Sequence, residues 1–593
     1  MIFSFLLESL KFTGNSHGNS HVNSLGNSHV NSRGLPAWTG KPFEMAGNIC
    51  DRFFGNNSTP ALSCHVKTGT RWRQRGQVLL SASLAVGLAA CSSEPEVVKL
   101  QLGEVIEGFV GGVSGDEPRA SLVAQDVLAS GGTAADAVTA MALVMGVTYP
   151  AAASLGGGGS CLISDSATQT VETLNFLPAP AVGGGLVAVP GMVRGIAALH
   201  SRYGRMSWEE LIAKAEELAR KGHNVSRSLA DPMKAARPVI LNDPGLSEIF
   251  MTPSGKVLGE GSLLSQIPLS SVLAQLRVRG PGEFYFGNVA TNLVNGAQNV
   301  GGALTMSDFR NYQPSWHETV SVRRGDLVYH TSRGPMTGGI VAGQMWAMLK
   351  EGGRSTKMDA AQRAHLMAEV SMRAYAKRGS NAARPLSVFR AHALMTGYLP
   401  NRHEPLKAVT RPALRPEQGT RGSTALVVVD REGSAVSCVL SMGRPFGAGK
   451  AERLTGIVLS SPPKHEDLEF LSPVIILNKE GRLILAAAAA GGPAAPAALA
   501  DGALSATEEG KLSEAVDAPR LFHPGNPDIL YVEPEITSPV VSSLRRRGHT
   551  LRAAQNLGRV NAIYCPGGLD ANNAVCEYKS DQRGFGLAAG GRF

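Results

Sequence analysis

Three small residues in mid-chain, Gly422-Ser423-Thr424, stand directly before a β-branched run from Leu426 to Val429. Asp430-Arg431-Glu432-Gly433 then reads as a hairpin turn, and a second strand runs from Ser434 to Ser441. A hydroxyl residue that opens a strand is ordinarily just an edge residue. If the chain is cut before it, the same residue carries a free α-amine beside its hydroxyl. The amine can then act as general base while the hydroxyl attacks an acyl carbon. Nothing local chooses between these readings. The segment before it, Arg411 to Arg421, carries Pro, Gly and Arg without hydrophobic period, so it reads as an exposed loop suited to cleavage.

Other candidate chemistries are weaker. Gly156 to Gly159 resemble a phosphate cradle, but no Gly-Lys-Ser/Thr follows, and the run precedes a strand, Cys161 to Ser164, instead of opening a helix. Close backbone packing is the better reading. His17, His21 and His29 recur loosely and lack carboxylate partners, so no metal is expected there. The net charge of +9 is spread along the chain, with Arg545-Arg546-Arg547 the one run, which argues against a nucleic-acid partner.

The chain begins with a segment that cannot bury a core. Residues 1–70 repeat Gly-Asn-Ser-His and read as a low-complexity leader, with a true start expected near Val66 or later. Residues 71–91 read as a signal peptide: a basic Arg71–Arg75 region, an apolar run from Val78 to Ala90, and a small-residue site. The apolar run is shorter than the ~20 residues a spanning helix takes. Leu88-Ala89-Ala90-Cys91 has the pattern of a bacterial lipobox, so Cys91 is the expected lipid attachment point. The expected location is exported and periplasm-facing, and Ser92 is compatible with the outer membrane.

Of seven cysteines, four lie in the globular part: Cys161, Cys438, Cys565 and Cys576. Cys565 and Cys576 flank a Gly/Asn/Asp-rich turn; a hairpin disulfide and two buried free thiols both stay open.

The elements that must position Ser423 follow from periodicity and caps. A helix is expected over Ala120–Ala129, and Thr133 with Asp136 caps a second. Further helices are expected over Met192–Tyr203, from Ser207 through Arg220, over Ile340–Leu349 and over Ala360–Lys377. Beyond Ser423, strands are expected at 424–429, 434–441, 455–459, 473–477 and 482–488, then helices near 494–503, 512–517 and 538–546. An apolar content of 43% supports one large core, and helices alternating with strand blocks point to a layered sandwich of helices and sheets.

At this point the chain resembles the γ-glutamyltranspeptidase family. The likeness rests on Ala129-Ser130-Gly131-Gly132-Thr133-Ala134-Ala135-Asp136-Ala137, the Gly156–Gly159 run, Val189-Pro190-Gly191, and Gly301-Gly302-Ala303-Leu304-Thr305 with Asp308. It continues through Val516-Asp517-Ala518-Pro519-Arg520 and Asp581-Gln582-Arg583-Gly584, in order across nearly all of 100–593. The resemblance implies an α+β N-terminal-nucleophile hydrolase fold, an αββα sandwich of two mainly antiparallel sheets covered by helices. It implies self-cleavage into a large segment, 92–422, and a small segment, 423–593, that stay associated. It also implies acyl transfer from a γ-glutamyl amide to an amine or water, with no cofactor.

Carried over residue by residue, the nucleophile falls on Ser423, with Thr424 the alternative if the register slips by one. An assisting hydroxyl falls on Ser441, and an oxyanion-hole glycine pair on Gly491 and Gly492. The glutamyl clamp fares worse. No Arg stands near Asn175-Phe176-Leu177-Pro178, the Asn position holds Gly443, and the Ser-Ser position holds Glu469-Phe470. For the acidic position, Glu466 and Asp467 are near enough to serve. The acyl-transfer machinery is thus expected to be kept, with an altered acyl substrate. The alternative is a non-catalytic envelope lipoprotein that uses the fold as a binding module.

Overall fold

The computed structural model describes residues 108–351, 358–379, 388–407, 409–416, 422–569 and 575–592. The leader, the signal peptide and Cys91 lie outside the described residues.

Two antiparallel sheets form the centre. The first has seven strands in the order Leu587–Arg592, Phe109–Gly115, Ser423–Asp430, Ala435–Ser441, Gly158–Asp165, Thr170–Phe176 and Ser315–Glu318. The second has six, in the order Glu577–Ser580, Arg559–Leu569, Leu483–Ala490, Ser472–Asn478, Leu327–Thr331 and Val320–Arg324.

Alternation along the central strands assigns their faces. Ala425, Val427 and Val429 pack with Ile475, Ala486, Ala488 and Ile563 of the second sheet. Leu426 and Val428 face outward onto the helices 118–129, 134–148 and 192–203. The outer face of the second sheet, through Ile476, Leu485 and Ala487, packs on helices 338–349, 360–376 and 495–501. Three apolar layers therefore separate four layers of structure, the αββα sandwich expected. Strand 423–430 is buried at every position, because helices cover one face and the second sheet covers the other. Each buried Val or Leu there contributes about 1.5–3 kcal/mol.

The hairpin turn holds its register through Asp430. Its carboxylate accepts from the Glu432 and Ser434 backbone N–H groups at 3.1 and 2.9 Å. It also accepts from the Ala134 N–H, at 3.0 Å, at the start of the helix capped by Thr133 and Asp136. One side chain thereby ties the hairpin that opens at Ser423 to the central helix.

Two expected elements differ. The strand expected over 455–459 shortens to Ile457–Leu459 and pairs with Lys450–Glu452 in a ribbon outside both sheets. Glu452 turns the chain there, accepting from the Leu454 and Thr455 N–H groups, and Gly456 sits at φ +68°. The helix expected over 494–503 breaks at Gly502 into 495–501 and 503–509. Both globular cysteine pairs are joined. Cys565–Cys576 closes the last hairpin, which settles the two readings in favour of the disulfide, and Cys161–Cys438 links neighbouring strands of the first sheet.

Candidate active site

Ser423 opens its strand at one end of the sandwich, directly opposite Ser441 in the ladder. Both lie on the face that carries Ala425 and Val439, the face between the sheets. Ser423 is only 5% exposed. The residue before it makes the tightest contact at the site. A Cβ on Gly422 would stand 2.3 Å from the Arg444 backbone, so only glycine fits there. The Gly422 carbonyl accepts from the Met442 N–H at 2.8 Å and from the Ser441 hydroxyl at 3.3 Å. The Gly443 N–H, at 3.0 Å, donates to Ser441 Oγ and orients it. The carbonyl of the Gly422–Ser423 peptide thus sits between two hydrogen-bond donors, with the Ser423 hydroxyl on the next residue.

A buried polar network lies under the same strand, and the sequence reading missed it. Asp116 follows the strand 109–115 and accepts from the Thr424 hydroxyl at 3.0 Å, from Arg559 Nε at 3.2 Å and from Asn561 Nδ2 at 2.7 Å. Arg559 Nη2 donates to the Ser423 carbonyl at 2.7 Å, and Asn561 Nδ2 to the Ala425 carbonyl at 3.0 Å. Arg559 and Asn561 come from the second sheet, so the network joins the two sheets where the strand 423–430 begins. Burial pulls the Arg559 guanidinium down, but the Asp116 carboxylate outweighs it and holds it above its ordinary value. An arginine and an aspartate 443 residues apart carry no local sequence signal.

Thr424 is therefore committed elsewhere, as a donor to a buried carboxylate. Thr424→Val is expected to lower stability by about 1–3 kcal/mol, the cost of an unsatisfied buried acceptor. Denaturant titration measures it, and chain cleavage should persist.

Gly491 and Gly492 follow the strand 483–490 at the same end, since Ala490 pairs with Arg559 in the second sheet. Both take left-handed φ values, 106° and 79°, which let the chain leave the strand sharply into a single turn of helix. A cavity of 650 Å³ adjoins Arg559, lined also by Tyr149, Ser228, Asp231, Asn556 and Pro416.

The clamp positions are only partly assembled. Gly443 sits at φ +78° beside Ser441 and contributes backbone alone. Glu466 and Asp467 fall on the short helix 465–468, and their side chains lie outside the described residues. Glu469 is paired with Arg378 at 3.6 Å. Asn175 accepts from the Ser160 hydroxyl at 2.6 Å.

A second polar cluster lies on the outer side of the second sheet. His365 and Glu369 share a face of helix 360–376, and His403, His523, Asp528 and His549 close around them. The spacing would admit a metal ion, but proton placement accounts for the contacts. His403 offers Nδ1 to Glu369 at 2.7 Å and Nε2 to Asp528 at 3.0 Å, so it lies between two carboxylates. The Gly525 N–H donates to His523 Nδ1, which puts the ring proton on Nε2, facing Asp528. His365 Nε2 donates to the Leu399 carbonyl, so its Nδ1 accepts from His549 Nε2 at 2.8 Å.

Burial pushes His549 down to about 3, with His403 and His365 adding to it, and burial also lowers His365 and His523. For His403 burial acts downward too, but Glu369 and Asp528 outweigh it and raise it. A lowered histidine takes its proton only in the unfolded chain, so its stabilisation is complete above about pH 6.5 and is lost as the pH falls toward the folded value. The raised His403 works in the opposite sense, and the lowered three outnumber it. The free energy of unfolding is expected to fall below about pH 6.5, with His549 contributing up to about 1.4 kcal/mol per pH unit, and His549→Phe should flatten the drop.

Two stacked antiparallel sheets between helical layers, with a hydroxyl residue opening a central strand at their shared end, define an N-terminal-nucleophile hydrolase fold. A cephalosporin acylase from Bacillus halodurans superposes with a TM-score of 0.67 at 22% identity, over 82% of this chain and 97% of that one, a likeness of fold. In sequence, the Gamma-glutamyltranspeptidase family matches residues 120–465 and 460–590. The chain belongs to that family. Among its relatives, Scoloptoxin SSD14 of Scolopendra dehaani is 28% identical over 557 residues, 83% of this chain and 95% of the relative. The glutathione hydrolase proenzyme of Pseudomonas aeruginosa is 26% identical over 572 residues, 85% of this chain and 97% of the relative.

Proposed function

We propose that the chain is a self-cleaving amidohydrolase or acyltransferase with Ser423 as its nucleophile. The reading rests on the Gly422 carbonyl, which accepts from Met442 N–H and Ser441 Oγ next to the Ser423 hydroxyl. Ser423 Oγ adds to that carbonyl carbon, and the two donors stabilise the oxyanion. The C–N bond then breaks, and the hydroxyl proton passes to the nitrogen, which becomes the Ser423 α-amine. Water hydrolyses the resulting ester and leaves Gly422 as a carboxylate. In the cut protein the α-amine serves as base, and the same hydroxyl attacks a substrate amide. Gly491 and Gly492 supply backbone N–H groups for that second oxyanion. The Pseudomonas aeruginosa relative is named a proenzyme, which agrees with a cut precursor.

The substrate is an amide whose amine leaves as its acyl group passes through Ser423 to water or another amine. Glutathione hydrolases among the relatives support a γ-glutamyl amide. The clamp argues for an altered acyl group: Gly443 offers no side chain, and Glu469 is a carboxylate already paired with Arg378. A bound α-carboxylate facing it would meet like charge.

The test is a reducing denaturing gel with N-terminal sequencing. A small piece beginning Ser423-Thr424-Ala425 is expected, about 18 kDa at roughly 0.11 kDa per residue. A single uncut band after prolonged incubation refutes the reading. The cut protein is expected to hydrolyse a chromogenic γ-glutamyl anilide at least about tenfold more slowly than an intact-clamp relative, a loss of about 1.4 kcal/mol or more; equal kcat/KM would sink the altered-substrate claim. A cut protein that turns over no amide favours the second reading, a binding lipoprotein with the lost clamp as its mark. Anchoring through a diacylated Cys91 belongs to either reading, and mass spectrometry of the N-terminus checks it. Among the described residues no helix is long and apolar enough to cross a membrane.

A further inference from the structure

Cys161 and Cys438 lie on opposite sides of the proposed cut and 277 residues apart. Cys161 belongs to the strand 158–165, which precedes Ser423, and Cys438 to the strand 435–441, which follows it. The two are direct partners in the antiparallel ladder, and their sulfurs are bonded. Both are fully buried, under the helices that cover the first sheet. The other disulfide, Cys565–Cys576, lies wholly after Ser423 and cannot join the two pieces.

We propose that cleavage turns Cys161–Cys438 into an interchain bond, so that the mature protein is a covalent heterodimer in which the nucleophile-bearing piece stays tied to the larger one. This rests on the self-cleavage reading above. The position suits the role. Cys438 stands opposite Leu426, three residues beyond Ser423, and three residues before Ser441. The link therefore fastens the hairpin that carries Ser423 and Ser441 to the strand that begins at Gly158 in the other piece. Cutting a chain removes the connectivity that keeps its elements at high effective concentration. A cross-link between paired strands restores it, because any re-docking of the hairpin remains intramolecular.

Formation is a two-electron oxidation. Two thiols lose two protons and two electrons to a disulfide oxidant, which is itself reduced to two thiols, by exchange through a mixed disulfide. The burial of both sulfurs places that exchange before packing is complete, and it shields the finished bond from thiol reductants in the folded protein. An oxidising compartment is required, in line with the signal-peptide reading of residues 71–91.

The test uses the full chain, denatured with an alkylating agent and run with and without reductant. Two bands with reductant and one without, shifted upward by the small piece of about 18 kDa, support the proposal. Two bands in both lanes overturn the cross-link while leaving self-cleavage intact. One band in both lanes overturns self-cleavage, and the interchain role with it. Cys438→Ser should give two bands without reductant, whereas Cys565→Ser should still give one. If Cys438→Ser does not accumulate, a non-reduced digest of the wild-type protein decides. A linked peptide pair containing Cys161 and Cys438 supports the bond, and both cysteines recovered alkylated overturn it.

Discussion

Ser423→Ala is expected to leave the chain uncut and to abolish amide turnover, a loss of more than about 10³-fold. The variant removes one oxygen from a site that nothing else can supply. Ser441 Oγ is spent on the Gly422 carbonyl and on the Gly443 N–H, and Thr424 Oγ1 on Asp116. The fold should not suffer, because Ser423 takes its place in the sheet through backbone ladder bonds. Thermal unfolding within about 0.5 kcal/mol of the wild type is the matching expectation for a substitution without packing change. Ser423→Thr should still cut, since it keeps the hydroxyl and the amine it will release. If Ser423→Ala continues to cut while Thr424→Val does not, the nucleophile is Thr424 and the register is off by one.

The second large effect concerns Arg559. Arg559→Ala is expected to cost about 3–5 kcal/mol of stability, because it strands a buried Asp116. It should also slow cleavage by about 10–100-fold, equivalent to about 1.4–2.7 kcal/mol in the barrier, since the Ser423 carbonyl loses the donor at 2.7 Å that holds it. These two consequences separate in a double variant. Arg559→Met with Asp116→Leu removes both charges, so stability should largely return. Cleavage should stay slow, because the carbonyl is still unheld. Wild-type cleavage by the double variant would show that Arg559 serves the fold alone. Arg559→Lys retains the charge without the paired Nε and Nη2 geometry, and intermediate rates are expected.

How much of this was legible beforehand differs by element. The hairpin 423–441 followed from β-branched runs around an Asp-containing turn. The central helix followed from Thr133 and Asp136 at capping spacing, which the structure bears out through reciprocal hydrogen bonds. The pairing of Ser423 with Ser441 also lies within one hairpin, so a local count reaches it. The turn at Glu452 did not show, because a carboxylate that gathers two successive N–H groups and a hydroxyl looks like any surface acid in a sequence. The break at Gly502 was hidden in an Ala-rich run that reads as continuous helix.

By itself, then, the sequence determined the hairpin that opens at Ser423 and the layered sandwich of helices and sheets, since these depend on periodicity and on neighbours a few residues apart. Only the tertiary structure decided the Asp116–Arg559–Asn561 network, the Cys161–Cys438 bond and the two donors on the Gly422 carbonyl. The first joins groups 443 and 445 residues apart and the second groups 277 apart. The third depends on how Ser441 and Met442, at the end of the partner strand, close on the residue before Ser423. Such contacts exist only once sheet order and strand register are set, and those are properties of the packed chain.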